Sequence, residues 1–125
     1  MSFRQLKKSI KSAVSGLIYV FKNEQNFRIQ VAVAIFVVIG LLALPLNKVE
    51  ILIILSIIFA VLVMEILNTA IEKFADLLKP RLHFYVKSVK DIMAGATLLV
   101  SLCAMLIGLI VFLPYLVVLF KKVLF

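Results

Sequence analysis

The sequence has one cysteine, one histidine, four glycines and only six acidic residues in 125. A single cysteine, Cys103, cannot close an intrachain disulfide, and in its apolar surroundings it reads as a small buried hydrophobe. No Gly-x-x-x-x-Gly-Lys-Ser/Thr loop occurs, nor a kinase-type glycine loop, which excludes nucleotide enzymes built on those plans. Charged residues make up just 16% of the chain. No low-complexity segment or internal repeat is present. The basic N-terminal stretch leads into a polar segment, so no cleavable signal peptide is expected.

What is abundant is apolar surface. The chain is 65% hydrophobic, with mean hydropathy +1.22. A soluble domain of this size cannot bury so much, so lipid must solvate it. Crossing the hydrocarbon core takes about 20 apolar residues in a helix. The chain therefore reads as one all-α membrane domain, 1–125, with an interfacial helix at 1–22. Helical spans follow at about 29–46, 49–78 and 86–114.

In the first segment, Phe3, Leu6, Ile10, Ala13, Leu17 and Phe21 recur at three- and four-residue spacing and share one face. Arg4, Lys8, Lys11 and Lys22 flank that stripe. Such a helix suits the interface over anionic lipid, or it packs on its own bundle. A polar joint, Lys22 to Arg28, leads to the first span, which stops at Pro45. The second span stays apolar from Val49 to Met64, and its helical pattern continues until Pro80 breaks it. A loop is expected around Arg81 to Tyr85, and Pro114 marks the expected exit of the third span.

The net charge of +8 would suggest nucleic acid in a soluble protein, but here it reads as topology and no nucleic-acid partner is expected. The N-terminal segment and the 73–90 loop carry eleven of the basic residues, against three on the other side. That asymmetry places the N-terminus and the 73–90 loop in the cytoplasm.

Five acids, Glu24, Glu65, Glu72, Asp76 and Asp91, fall near that same boundary, and Glu50 lies at the other. A charge at membrane depth costs about 2.5–3.5 kcal/mol on insertion scales, so such residues are usually functional. At roughly 100° per residue, Glu65, Asn68, Glu72 and Asp76 lie at about 0°, 300°, 340° and 20°, a single polar stripe. Aligned carboxylates repel unless a cation, basic side chains or protons lie between them. Mg²⁺ with a nucleotide would suit them. The alternative is a stripe paired with Lys87, Lys90 or Arg28 to hold the bundle together. Glu24 with Arg28 one turn on, and Lys90 with Asp91, converge on the same depth. Carboxylates for a metal, a lysine for phosphate and one deeper carboxylate make an inventory for phosphoryl transfer.

The strings NEQNFR (Asn23 to Arg28), EILNTAIEKFAD (Glu65 to Asp76) and VKSVKDIMAGA (Val86 to Ala96) occur in order across nearly the whole chain. Together they resemble the small prokaryotic diacylglycerol kinase and undecaprenol kinase family. The resemblance implies an integral homotrimer, each protomer with three transmembrane helices and a surface helix, in the bacterial cytoplasmic membrane. It implies transfer of the γ-phosphoryl of ATP to a lipid hydroxyl with Mg²⁺ at the cytoplasmic face. By carry-over, Glu65 is the catalytic base, and Glu24 and Glu72 are the metal ligands. Lys90, Asp91, Glu24, Glu72, Arg81 and His83 contact the nucleotide, with Asn68, Asp76 and Arg28 in support. His83 reads equally as an ordinary surface histidine. Gln5 and Ser12 stand where diacylglycerol-type members carry an arginine and a tyrosine, which puts nucleotide contacts from that helix in doubt.

The tail IGLIVFLPYL (Ile107 to Leu116) and the triplet at Ala94 to Ala96 resemble the undecaprenol-type branch of that family, which implies undecaprenol as substrate, with diacylglycerol the alternative. A non-enzymatic channel or transporter is a third reading, with the stripe as its cation site. Transporter sites, however, usually lie at the midplane.

Overall fold

A computed structural model describes residues 2–81 and 83–125. Among these, the chain forms four helices and no strand: α1 Phe3–Asn23, α2 Gln25–Ala43, α3 Lys48–Asp76 and α4 His83–Leu124. Met1, within the expected interfacial helix, and Leu82, within the expected loop, lie outside the described residues.

Helix α1 starts where Ser2 and Gln5 form a reciprocal capping box. The Gln5 backbone N–H donates to Ser2 Oγ at 3.2 Å, and the Ser2 N–H donates to Gln5 Oε1 at 3.0 Å. This satisfies two N–H groups that the helix itself cannot pair. The six-residue apolar stripe is exposed along its whole length, and Val20 is the one described residue of α1 that is buried. Within the single chain the stripe is left free for another medium, as an interfacial helix requires.

The polar joint to α2 is shorter than the sequence suggests. Only Glu24 leaves helical geometry, at φ −113° and ψ 109°, closing α1 and opening α2 at once. Arg28 makes this tight turn possible: its Nη1 donates to the carbonyls of Phe21 and Lys22 at 2.8 and 2.9 Å. Those are carbonyls the ending helix leaves without partners.

Helices α2, α3 and α4 are each long and apolar enough to cross a membrane. At about 1.5 Å per residue, the 19 residues of α2 match a hydrocarbon core of about 30 Å. The 29 residues of α3 and 42 of α4 exceed it. Helix α3 is the hub, packing against α4 most extensively and also against α2 and α1. The buried apolar set is small: Val20, Phe27, Leu41, Ile54, Ala75 and Val86. Meanwhile Phe36, Leu42 and Ile110 are at least 73% exposed. Such a surface is stable only in lipid or against other apolar helices.

Cys103, expected to be buried, is exposed on an apolar surface, and two further features extend beyond the sequence reading. His83 to Tyr85, expected in a loop, form the first turn of α4. Pro114 lies inside α4 and does not end it; a proline removes one backbone bond, which a membrane helix tolerates. Asn47 caps α3 with Glu50 in a second capping box. Tyr115 Oη donates to Glu50 Oε1, tying α4 to the start of α3.

Candidate active site

The polar stripe of α3 survives folding, and its members meet different fates along the helix. Glu65 is 2% exposed, the least accessible charged side chain in the described residues. Gln30 Nε2 of α2 approaches Glu65 Oε2 at 3.4 Å. One turn on, Thr69 is also buried, its hydroxyl donating back to the Glu65 carbonyl at 2.9 Å.

Asn68 and Glu72 are half-buried, as is Glu24 across from them. Glu24 and Glu72 both lie close enough to Glu65 to repel its charge. Neither makes a side-chain hydrogen bond or ion pair with any described residue.

Spacing separates these acids into two groups. Glu65 and Glu72 are seven residues apart, so their Cα atoms differ by about 10 Å along the helix axis. Glu65 is buried and Glu72 half-buried, so the two carboxylates sit in different surroundings. No cluster of three potential metal ligands forms among the described residues. Magnesium does not need one, since one or two carboxylates with phosphate oxygens and water complete its shell. Glu24 and Glu72 fit that kind of site.

Toward the end of α3 the bundle-holding alternative applies. Lys90 Nζ of α4 donates to Asp76 Oδ1 at 2.6 Å, with Lys79 Nζ 3.6 Å from the same oxygen. Asp76 is thus a link between α3 and α4. Lys90 also feels the charge of Glu72. Asp91 turns the other way, to Lys87 at 3.1 Å. Arg28 does not join the acids; it holds the end of α1. Arg81 and His83 are exposed on either side of Leu82 and touch none of the acids through hydrogen bonds. Gln5 is occupied by its cap. Lys73 stacks over the Tyr19 ring, 3.9 Å from its centroid, joining α1 to α3 near the site.

The residues that sequence reasoning passed over are Gln30 and Thr69. Gln30 had a signal, being the only amide in the apolar stretch from Ile29 to Leu44. Thr69 had none, because a threonine in a helix commonly bonds its own backbone.

Fold and site together define a multi-pass helical membrane protein with a buried carboxylate below two unpaired ones. Residues 11–112 match the family described as prokaryotic diacylglycerol kinase. The chain is 36% identical over 107 residues to an undecaprenol kinase of Bacillus subtilis, covering 86% of this chain and 87% of that protein. It is 32% identical over 107 residues to a diacylglycerol kinase of Synechocystis, covering 85% of this chain and 61% of that one. A diacylglycerol kinase of Haemophilus influenzae is 30% identical over 95 residues, covering 76% and 80%. The chain belongs to the prokaryotic diacylglycerol kinase family. It is a lipid kinase, and a kinase requires a nucleotide phosphoryl donor.

Proposed function

We propose that this protein transfers the γ-phosphoryl group of Mg·ATP to the primary hydroxyl of undecaprenol at the cytoplasmic face of the membrane. The observation that carries this reading is the burial of Glu65, with about 10 Å of helix separating it from Glu72. A lipid hydroxyl reaches the protein from the hydrocarbon side, and Mg·ATP from water. Glu65 takes the hydroxyl proton as the oxygen attacks the γ-phosphorus. Glu24 and Glu72 would hold Mg²⁺, whose charge offsets that of the phosphates. Lys90 is a phosphate contact beside them. Asp91, Arg81 and His83 stand at the water-facing end, where the rest of the nucleotide would lie, while Asn68 lines the stripe between base and metal.

Undecaprenol is favoured over diacylglycerol by the higher identity and fuller coverage of the Bacillus subtilis relative. Both lipids present a primary hydroxyl at the interface. Purified protein with Mg·ATP should phosphorylate undecaprenol with the higher kcat/KM. Turnover of diacylglycerol alone would overturn the choice of lipid and leave the kinase reading intact. Glu65→Gln tests the chemistry: positioned general bases contribute about 10²- to 10⁴-fold, so transfer should fall by that order while ATP still binds. A fully active variant would refute the base assignment. A channel or transporter would show cation flux in vesicles without ATP, and would not depend on lipid alcohol.

The basic asymmetry of the sequence supports a cytoplasmic N-terminus. The exposed apolar faces of α2, α3 and α4 support assembly into a homotrimer. A reporter fused to the N-terminus and crosslinking in native membranes test these two statements.

A further inference from the structure

Gln30 comes from a different helix than Glu65 and is the one described side chain whose amide reaches that carboxylate. Its other end is unusual. Gln30 Oε1 is buried and has no hydrogen-bond partner among the described residues. A buried acceptor without a donor is costly, and a native structure keeps one only for a reason.

The pairing chemistry supplies that reason. An ionised carboxylate only accepts, so it can engage the Gln30 NH₂ and nothing else on that amide. Once protonated, the same carboxyl gains an O–H donor. A carboxylic acid beside a primary amide can then form two bonds at once: amide N–H to acid C=O, and acid O–H to amide C=O. The unpartnered Oε1 is the atom that second bond requires.

We infer that Gln30 is a positioning residue for Glu65, orienting the carboxylate through Nε2 and receiving the acquired proton's O–H at Oε1. This rests on the reading of Glu65 as the base. In the step it serves, the lipid O–H bond breaks and its proton joins a Glu65 oxygen. The electron pair stays on the lipid oxygen, which bonds to the γ-phosphorus as the bond to ADP breaks. The new Glu65 O–H then has a buried acceptor waiting. Gln30 touches neither phosphate nor metal; its whole effect passes through Glu65.

Steady-state kinetics on Gln30→Met, which keeps the chain length and removes both hydrogen-bonding ends, tests this. The hydrogen bond matters most as the proton arrives, so kcat should fall about ten-fold. The KM for Mg·ATP should stay within two-fold, a split that general loosening of the bundle would not give. Glu65→Asp supplies the second arm, because it withdraws the carboxylate from Gln30 by one methylene. Adding Gln30→Met to Glu65→Asp should then cost less than two-fold, since the contact is already lost. An unchanged kcat in Gln30→Met would overturn the inference, as would the same full loss in both backgrounds. Should Gln30→Met fail to assemble, Gln30→Asn, which keeps the amide but retracts it, carries the same comparison. Full activity in Glu65→Gln would instead remove the base reading itself, so the two failures are distinguishable.

Discussion

Lys90 and Asp76 meet across the gap between α4 and α3 at 2.6 Å, the shortest ion pair among the described residues. Asp76 is more than half exposed and Lys90 about one-third exposed, so solvent weakens what the pair adds to stability. Its consequence is competition: while Asp76 holds the ammonium of Lys90, a phosphate in the proposed site must draw it away.

Lys90→Met should therefore raise the KM for Mg·ATP several-fold. Asp76→Asn should leave it unchanged or lower it, because the ammonium is freed and no charge is lost. ATP titrations at saturating lipid distinguish the two. Equal increases in both variants would mean that the pair matters only as a strut.

At the opposite end of the same helices, Tyr115 of α4 bonds to Glu50 of α3. Glu50 also accepts from the Asn47 N–H at 3.1 Å, so one carboxylate serves both the cap and the crossing. This contact is remote from the acids at the other end of α3. Tyr115→Phe should lower the melting temperature by a few degrees and leave kcat and both KM values unchanged. A kinetic defect at unchanged melting temperature would tie this end to catalysis.

The spans were legible as long apolar runs, and the polar stripe and the surface helix as periodic patterns within one segment. Three- and four-residue spacing places Phe3, Leu6 and Ile10 on one face whatever the helix later touches. Pairing between helices was not legible. Nothing in the local text says that Lys90 reaches Asp76 while Asp91 turns to Lys87, since both choices satisfy a lysine and an aspartate. Arg28 shows the same limit: helical spacing places it one turn from Glu24, but does not say that its guanidinium bonds the Phe21 and Lys22 carbonyls at the end of α1. Pro114 lies inside α4 without ending it, so a proline at the expected exit of a span does not mark the end of the helix.

Magnesium dependence tests the unpaired carboxylates. Glu24→Gln and Glu72→Gln each remove one hard anionic ligand from a site that has at most two from this chain. Each should shift the Mg²⁺ titration of activity to higher concentration, by about ten-fold or more as for lost ligands and their supports. Glu65→Gln should lose rate without shifting the titration, since its proposed role is proton transfer and not metal binding. An unchanged magnesium curve in both Glu24 and Glu72 variants would remove the metal assignment.

Arg28 gives the sharpest separation of touching from holding. Its two bonds to the Phe21 and Lys22 carbonyls fix the end of α1 just before the extended residue Glu24. Glu24 has no cap bond of its own to hold its side chain, so its position depends on that turn. Each lost hydrogen bond of this kind is worth about 1 kcal/mol, a several-fold effect on a site that relies on the geometry. Arg28→Gln should therefore raise the magnesium requirement by less than Glu24→Gln does. Combined with Glu24→Gln it should add little, since the carboxylate it was holding is already gone. An additive shift in the double variant would mean that Arg28 acts on the nucleotide directly and not through Glu24.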